Sequence, residues 1–160
     1  TFGRLQIISS AWFALTHGAN DGQKTMGIIA LILFSAGLIP ELEIPLWVIL
    51  AAASAMGLGT FFGGYKVIKT LGVKITRLKP YQGFAAETSG GLMLAIFATL
   101  GIPASTTHAI TGTIMGAGAA RRKRAVRWNV SRHIVFSWII TIPGSAAMGI
   151  GFTYLIHLFV

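Results

Sequence analysis

The sequence predicts an all-α integral membrane protein with about five membrane segments, and three observations support this fold class. Of the 160 residues, 54% are hydrophobic and only 11% are charged, whereas about a quarter of the residues in a soluble domain are charged. The mean hydropathy is +0.72, and long apolar stretches recur along the whole chain. The lysines and arginines gather between these stretches, as they do in the cytoplasmic loops of membrane proteins.

The first predicted segment, residues 5–38, is apolar on both sides of a polar centre that reads THGANDGQKT over residues 16–25. As one straight helix it would be about 50 Å long, well over the ~30 Å thickness of the hydrocarbon core. We therefore expect a break at Gly18–Gly22, which leaves two part-helices that meet at a non-helical turn. Residues 39–45, IPELEIP, form an acidic turn after this segment.

Four further segments follow the acidic turn. They are residues 46–65, residues 81–101, a shorter arm of residues 105–120 and residues 131–158. The segment 81–101 and the arm form a hairpin around the sequence PASTTH, residues 103–108. Because the arm is only ~24 Å of helix, both a full span and a re-entrant arm are compatible with it. Pro143 predicts a kink in the last segment.

The basic residues predict the orientation of these segments. Every lysine and arginine except Arg4 and Lys24 lies in one of two runs, residues 66–79 and residues 121–132. Since both runs separate apolar segments, we interpret them as cytoplasmic loops of a multi-pass protein, with the acidic turn outside. The net charge of +9 would also suit a nucleic-acid-binding patch. Because apolar segments flank both runs, we expect the partner to be a lipid bilayer and expect no nucleic-acid partner.

The two predicted breaks in the apolar segments carry the candidate site. Non-helical backbone at membrane depth is tolerated only where protein or a water-filled cavity satisfies it, and many transporters build their midplane site from such breaks. A helix that starts near Ser105 would direct free N–H groups at an anion, with hydroxyls beside them. The candidate substrate-binding residues are Asn20, Asp21, Gln23, Lys24, Ser105, Thr106, Thr107 and His108.

Two carboxylates, Asp21 and Glu87, lie inside apolar segments, where an acid is costly and usually marks an ion or proton pathway. With Asn20, Thr88 and backbone carbonyls they predict a place for a hard cation such as Na⁺, or for a proton. An anion beside carboxylates is repelled unless a cation or proton lies between them. The pattern therefore favours coupled binding of an anion and a cation.

The same residues also have purely structural interpretations. Asp21 could simply pair with Lys24, Ser105 could cap a helix, and His17 and His108 could be packed, hydrogen-bonded histidines. An enzyme is not expected, because the sequence shows no nucleophile with its base. It shows no cysteine either. We expect no resident cofactor, and a metal site is left open.

The motifs HGANDGQK at residues 17–24 and PASTTH at residues 103–108 resemble those of the inorganic phosphate transporter (PiT) family. That family carries a GAND-type motif and a P-x-S-T-T-H motif in each of two inverted repeats. The form with GQK resembles the second repeat of bacterial low-affinity phosphate transporters. Since one copy of each motif occurs here, we expect residues 1–160 to be a single membrane domain, the C-terminal half of an inverted-repeat transporter. The missing N-terminal repeat, or a second chain, would complete it.

The resemblance implies secondary active symport of inorganic phosphate, free or bound to a divalent metal, driven by a Na⁺ or H⁺ gradient across the bacterial inner membrane. It places Asn20, Asp21, Ser105, Thr106 and Thr107 at the phosphate and cation site. It matches Glu87 and Thr88 to a polar position in the span before the second motif. The alternatives are a transporter of another oxyanion such as sulfate, and a non-transporting membrane assembly subunit or channel.

Overall fold

The structure, a computed structural model, describes residues 2–159, with the side chains at positions 66 and 159 excepted. Over this range the regular structure is entirely helical, without a strand, which confirms the predicted all-α class. The elements are α1 (Phe2–Ser35), α2 (Leu46–Lys69), a π-helix (Thr70–Ile75), α3 (Pro80–Thr99), α4 (Thr106–Arg121), a 3₁₀ turn (Lys123–Ala125) and α5 (Trp128–Phe159). One compact unit ends at Val126, and α5 belongs to a second unit that begins at Arg127.

The helix α1 is continuous over 34 residues, so the predicted break at Gly18–Gly22 is wrong. Glycine costs a helix only about 1 kcal/mol relative to alanine, and the polar side chains of this stretch find partners without a turn. Asn20 donates to the Thr16 carbonyl one turn earlier (3.2 Å) and to the Leu94 carbonyl of α3 (3.0 Å). The helix is therefore about 51 Å long, and the two predicted part-helices form one helix.

Both α1 and α3 end at a glycine in the left-handed backbone region, Gly37 with φ 70° and Gly101 with φ 68°. At the end of α3 the N–H of Ile102 donates to the Phe97 carbonyl (2.9 Å), which is the Schellman arrangement. Glycine is needed there because a Cβ atom is disfavoured at such angles. The chain then passes through Pro103 into α4, so the predicted PASTTH hairpin is present as a turn between two helices.

Glycines of α3 let it pack closely against α1. A Cβ atom at Gly91 would lie 2.6 Å from Cδ1 of Trp12, which leaves room for no other residue. Earlier along both helices the rings of Phe2 and Tyr81 pack edge to face at 6.3 Å. Because the contacts advance together along both sequences, α1 and α3 run in the same direction.

The helix α4 returns antiparallel to α3. The buried side chain of Gln82, near the start of α3, donates to the Ala117 carbonyl near the end of α4 (3.0 Å). Further along α3, a Cβ atom at Gly90 would lie 3.3 Å from the hydroxyl of Thr113. The hairpin thereby carries the first residue of α4, Thr106, back to the middle of α1.

The basic run 66–79 was expected to be a loop, and most of it is helical instead. The helix α2 continues to Lys69 and the π-helix follows directly, and it ends at Ile75, which is fully buried. Thr76 then packs against Gly118 of α4, with its methyl group 3.1 Å from the position of an added Cβ atom. This contact brings the first basic run to the end of α4, where the second run begins at Arg121.

Among the described residues, two helices are long and apolar enough to cross a membrane on their own, α2 over Leu46–Tyr65 and α5 over Trp128–Leu158. In α5 the helix continues through Pro143. Several of its hydroxyl groups donate to carbonyls one turn earlier in the same helix; Thr141, for example, donates to the Ser137 carbonyl (2.7 Å). Its apolar side chains are exposed, as expected for a surface that faces lipid.

Candidate functional site

Asp21 lies at the centre of a polar cluster between the middle of α1 and the start of α4. Its Oδ1 accepts a hydrogen bond from Lys24 Nζ (3.1 Å), its Oδ2 accepts one from Thr106 Oγ1 (2.9 Å), and His17 Nε2 lies 3.1 Å from Oδ2. Lys24 Nζ also donates to the Ala104 carbonyl. These five residues are called the Asp21 cluster below. The cluster joins the GAND motif to the S-T-T-H motif by direct contact.

The helix spacing explains the part of the Asp21 cluster that lies on α1. Residues three and four positions apart share one face of a helix, so His17, Asp21 and Lys24 point to the same side. The side chains of Asp21 and Lys24 are 30% and 36% exposed, so the pair is neither fully buried nor freely solvated. Because Lys24 compensates the charge of Asp21, the pair is close to neutral.

The first turn of α4 supplies the other side. Ser105 is the N-cap and accepts a hydrogen bond from the His108 N–H (3.3 Å), while its hydroxyl also bonds to His108 Nδ1. The cap predicted at Ser105 is therefore present. The N–H groups of Thr106 and Thr107, in the first turn, have no acceptor within the helix. Thr107 is exposed and Thr106 is buried.

The other predicted residues lie outside the Asp21 cluster. Asn20 is 5% exposed, and its amide group joins α1 to Leu94 of α3 rather than to Asp21. Gln23 and Thr88 are both exposed. Within residues 2–159, neither side chain has a hydrogen bond to the Asp21 cluster or to Glu87.

Glu87 lies in a second polar cluster, which sequence reasoning missed. Its Oε2 accepts a hydrogen bond from Ser9 Oγ (2.5 Å) and its Oε1 accepts one from Ser10 Oγ (2.9 Å). Both hydroxyls also lie close to the Gln6 carbonyl, at 3.0 and 2.8 Å. These three side chains and the Gln6 carbonyl are called the Glu87 cluster. The available signal was an acid in an apolar segment, which requires donors, together with two adjacent serines in another apolar segment.

A cavity of about 700 Å³ within the first unit opens to members of both clusters. The clusters lie at different heights along α1, since Ser10 and His17 are about 10 Å apart along the helix axis. Small residues of α2, such as Gly59 and Gly63, line the opposite wall. The polar side chains that line the cavity are Gln6, Ser10, His17, Thr60, Glu87, Thr106 and Thr107.

The chemistry offered by this arrangement is ion binding. One end of the cavity has hydroxyls, a helix N-terminus and a lysine nearby, which suit an oxyanion. The other has a carboxylate with hydroxyl and carbonyl oxygens, which suit a hard cation. Within the described residues there is no group of three or more His, Cys, Asp or Glu side chains that would hold a metal ion.

Two carboxylate-centred clusters that open to one cavity among apolar helices are typical of membrane transport proteins. The model of the PHO4 phosphate transporter family matches residues 1–149. The chain therefore belongs to the phosphate transporter family, and the family resemblance expected from its two motifs is confirmed.

Known relatives agree with this assignment. A protein of Rhizobium meliloti described as a probable low-affinity inorganic phosphate transporter is 52% identical over 147 residues, which cover 91% of this chain and 44% of the relative. A protein of Bacillus subtilis with the same description is 43% identical over 149 residues, or 92% of this chain and 45% of the relative. A solved structure entitled "The sodium-dependent phosphate transporter" has a TM-score of 0.77 and 38% identity, and covers 89% of this chain and 36% of that one. The chain thus spans less than half the length of these relatives.

Proposed function

We propose that this chain is the C-terminal repeat of a secondary active transporter that carries inorganic phosphate across the cell membrane together with Na⁺ or H⁺. The observation that carries the proposal is the hydrogen bond between Asp21 and Thr106, because it joins the two motifs next to a helix N-terminus. The relatives described as phosphate transporters support phosphate as the substrate. The sodium-dependent neighbour favours Na⁺ as the driving ion.

In this proposal phosphate binds in front of the first turn of α4. The N–H groups of Thr106 and Thr107 and the positive end of the helix attract its oxygens. The hydroxyl of Thr107, which faces the cavity, donates a further hydrogen bond, and Lys24 contributes positive charge. Ser105 and His108 lie around the bound anion rather than serving as its direct ligands, while Asn20 joins α1 to α3 and Gln23 lies outside the Asp21 cluster.

Asp21 gives this site its preference for phosphate over sulfate. Singly protonated phosphate donates a hydrogen bond to a carboxylate, and fully ionised sulfate has no proton to donate. A carboxylate offers only hydrogen-bond acceptors, so an anion without a proton to donate finds no partner at Asp21. In this proposal phosphate is carried together with Na⁺, with H⁺ or with a divalent metal bound to it.

The proposed membrane layout has all five α-helices within the bilayer, with the PASTTH turn at depth beside the middle of α1. The basic residues of both runs lie in the cytoplasm, as the positive-inside rule favours. The matched relatives are more than twice as long as the aligned region, which leaves room for an N-terminal repeat. That repeat supplies the opposite face of the phosphate site.

The test is uptake of radiolabelled phosphate into proteoliposomes that contain the complete protein of which this chain is part. The Na⁺ and pH gradients are varied separately, with unlabelled sulfate as a competitor. We expect uptake to follow one of the two gradients and to fall about tenfold to a hundredfold in Asp21→Asn, because the variant loses an ionised hydrogen-bond acceptor. Glu43→Gln is the matched control, since it removes an exposed acid from the turn after α1.

Three outcomes would contradict the proposal. Sulfate uptake without phosphate uptake would identify a transporter of another oxyanion. Phosphate flux that ignores both gradients would identify a channel. No flux of either anion would leave a membrane protein whose role is in assembly. A divalent metal requirement for phosphate uptake would refine the substrate to a metal–phosphate complex.

A further inference from the structure

We propose that the Glu87 cluster is a separate Na⁺ site, in which the hydroxyls of Ser9 and Ser10 change from hydrogen-bond donors to cation ligands when the ion binds. This inference rests on the proposed function and assigns its driving ion to a specific place. The two serines are the new element. Their hydroxyls decide whether the carboxylate of Glu87 takes a sodium ion or a proton.

The argument begins with a count of donors and acceptors. A serine hydroxyl has one proton to donate and two lone pairs to offer. Ser9 Oγ lies 2.5 Å from Glu87 Oε2 and 3.0 Å from the Gln6 carbonyl, and Ser10 Oγ lies 2.9 Å from Oε1 and 2.8 Å from the same carbonyl. Each hydroxyl therefore has two acceptors within reach and can donate to one of them at a time.

This surplus of acceptors gives the cluster two hydrogen-bonding arrangements. When both hydroxyls donate to Glu87, the carboxylate is satisfied without an ion. When one or both rotate to donate to the Gln6 carbonyl, their lone pairs and the carboxylate oxygens are free to coordinate a cation. The rotation needs no backbone movement, because the carbonyl belongs to the same helix one turn earlier.

The ligand set favours a hard monovalent ion. Carboxylate, hydroxyl and carbonyl oxygens are the ligands that hard cations prefer. Glu87 is the one charged side chain of the cluster, so a single positive charge is neutralised and a double charge would be left in excess beside the apolar wall of the cavity. A proton on Glu87 would use none of the serine lone pairs, which provides the means to tell the two ions apart.

Access and separation also support a distinct site. Ser10 and Glu87 both line the cavity, so an ion can reach them, whereas Ser9 is 4% exposed and closes the site from behind. The Glu87 cluster and the Asp21 cluster have no residue in common. Sodium at Glu87 would therefore sit beside the phosphate path without occupying the anion site.

The experiment measures equilibrium binding of radiolabelled Na⁺ to the purified complete protein at fixed pH. The variants are Ser9→Ala, Ser10→Ala and the double substitution, with Glu87→Gln as the reference for full loss. We expect each single variant to raise the half-saturating Na⁺ concentration about tenfold. We expect the double variant to bind one sodium ion fewer per protein.

Two further variants separate a lost ligand from a damaged fold. Ser10→Thr keeps a hydroxyl at the cavity wall and should retain the wild-type Na⁺ affinity within about twofold. Ser89→Ala removes an α3 hydroxyl that donates only to the Ala86 carbonyl of its own helix (3.1 Å), and should leave Na⁺ binding unchanged. Thermal unfolding of every variant checks that the protein is folded.

Na⁺ binding that is unchanged in the double variant would overturn the inference. It would also be overturned if wild-type protein takes up phosphate with a pH gradient alone and binds no radiolabelled Na⁺, in which case the proposed function stands. The complete protein could also move no phosphate and still bind one Na⁺ fewer in the double variant. That result would support the cation site, while the proposed function would fail.

Discussion

The two carboxylates inside the apolar helices, Asp21 on α1 and Glu87 on α3, have different surroundings. Asp21 is held by Lys24 and by the hydroxyl of Thr106, with His17 beside it. Glu87 is held by the hydroxyls of Ser9 and Ser10, which carry no charge. Asp21 is therefore neutralised within the protein, whereas the negative charge of Glu87 is only solvated by dipoles.

This difference indicates separate roles for the two clusters, one in anion binding and one in cation binding. A carboxylate that already has a counter-ion can help to position an anion, because the pair repels it little. A carboxylate that has only hydroxyl donors retains its attraction for a cation. The two clusters open to one cavity, so each can act on the same transport cycle from its own end.

The largest effect that distinguishes the clusters is expected from Lys24→Met. Without the ammonium group the charge of Asp21 is uncompensated, and it repels phosphate at the start of α4. Hydrogen bonds to charged groups contribute roughly 1.5–3 kcal/mol, so we expect the apparent KM for phosphate to rise about tenfold to a hundredfold in the uptake assay. Half-saturating Na⁺ should change less than about twofold.

Lys24→Arg is the matched control, because it keeps the positive charge. It should lie much closer to wild type than Lys24→Met does. If Lys24→Met leaves the phosphate KM unchanged, the lysine only extends toward the polar boundary of the bilayer. The proposed difference between Asp21, neutralised by Lys24, and Glu87, which has no counter-ion, would then have no effect on phosphate binding.

The spacing of the two clusters is tested by Gly91→Ala, a substitution between them on α3. The added methyl group would lie 2.6 Å from Cδ1 of Trp12, and an indole ring in a helix interface has little room to move. Overpacking of this kind costs roughly 1–3 kcal/mol. We expect a lower midpoint of thermal unfolding and weaker binding at both clusters.

Gly112→Ala on α4 serves as the control, because an added Cβ atom there meets nothing within 4 Å. It should be neutral or stabilising by up to about 1 kcal/mol, since alanine favours the helix. Equal melting midpoints for the two variants would show that close α1–α3 packing does not hold the clusters in place.

The two motifs show how far sequence reasoning reaches. PASTTH was expected to interrupt the helices, and it does, because Gly101 adopts a left-handed angle and Pro103 has no N–H to continue a helix. GANDG was expected to do the same and does not. Its glycines tolerate helical angles, and its polar side chains find partners on α3 and α4, which periodicity cannot reveal.

The clusters show the same limit. The contact between Asp21 and Thr106 could be predicted from the sequence, since two polar interruptions in apolar segments suggest one shared site. The contact of Glu87 with Ser9 and Ser10 could not be predicted, because it depends on the parallel register of α1 and α3. That register is set by glycines such as Gly91, which a single sequence does not distinguish from other small residues.

A smaller effect on the Asp21 side is expected from Thr106→Val, which replaces the hydroxyl by a methyl group of similar size. Thr106 is 4% exposed, so water cannot replace its hydrogen bond to Asp21. We expect phosphate uptake below saturation to fall about tenfold, equivalent to about 1.4 kcal/mol. Na⁺ binding at Glu87 should not change.

Thr106→Ser should restore uptake, because it keeps the hydroxyl. Thr113→Val is the second control, since the Thr113 hydroxyl donates to the Ile110 carbonyl of its own helix (3.1 Å). A loss in Thr113→Val equal to that in Thr106→Val would show that α4 is generally sensitive to β-branched apolar residues. The loss in Thr106→Val could then not be assigned to its hydrogen bond with Asp21.

The smallest effects are expected at Gln23 and Thr88, two residues that the sequence analysis included among the site candidates. Both are exposed, and neither has a hydrogen bond to either cluster in the described part of the chain. Gln23→Ala and Thr88→Ala should therefore each change phosphate uptake by less than about twofold, within the range of ordinary surface substitutions. A tenfold loss in either variant would mean that a partner outside this chain contacts that residue. The ion path would then run along the outer face of α1 or α3, and the cavity between the helices would have to be abandoned as its route.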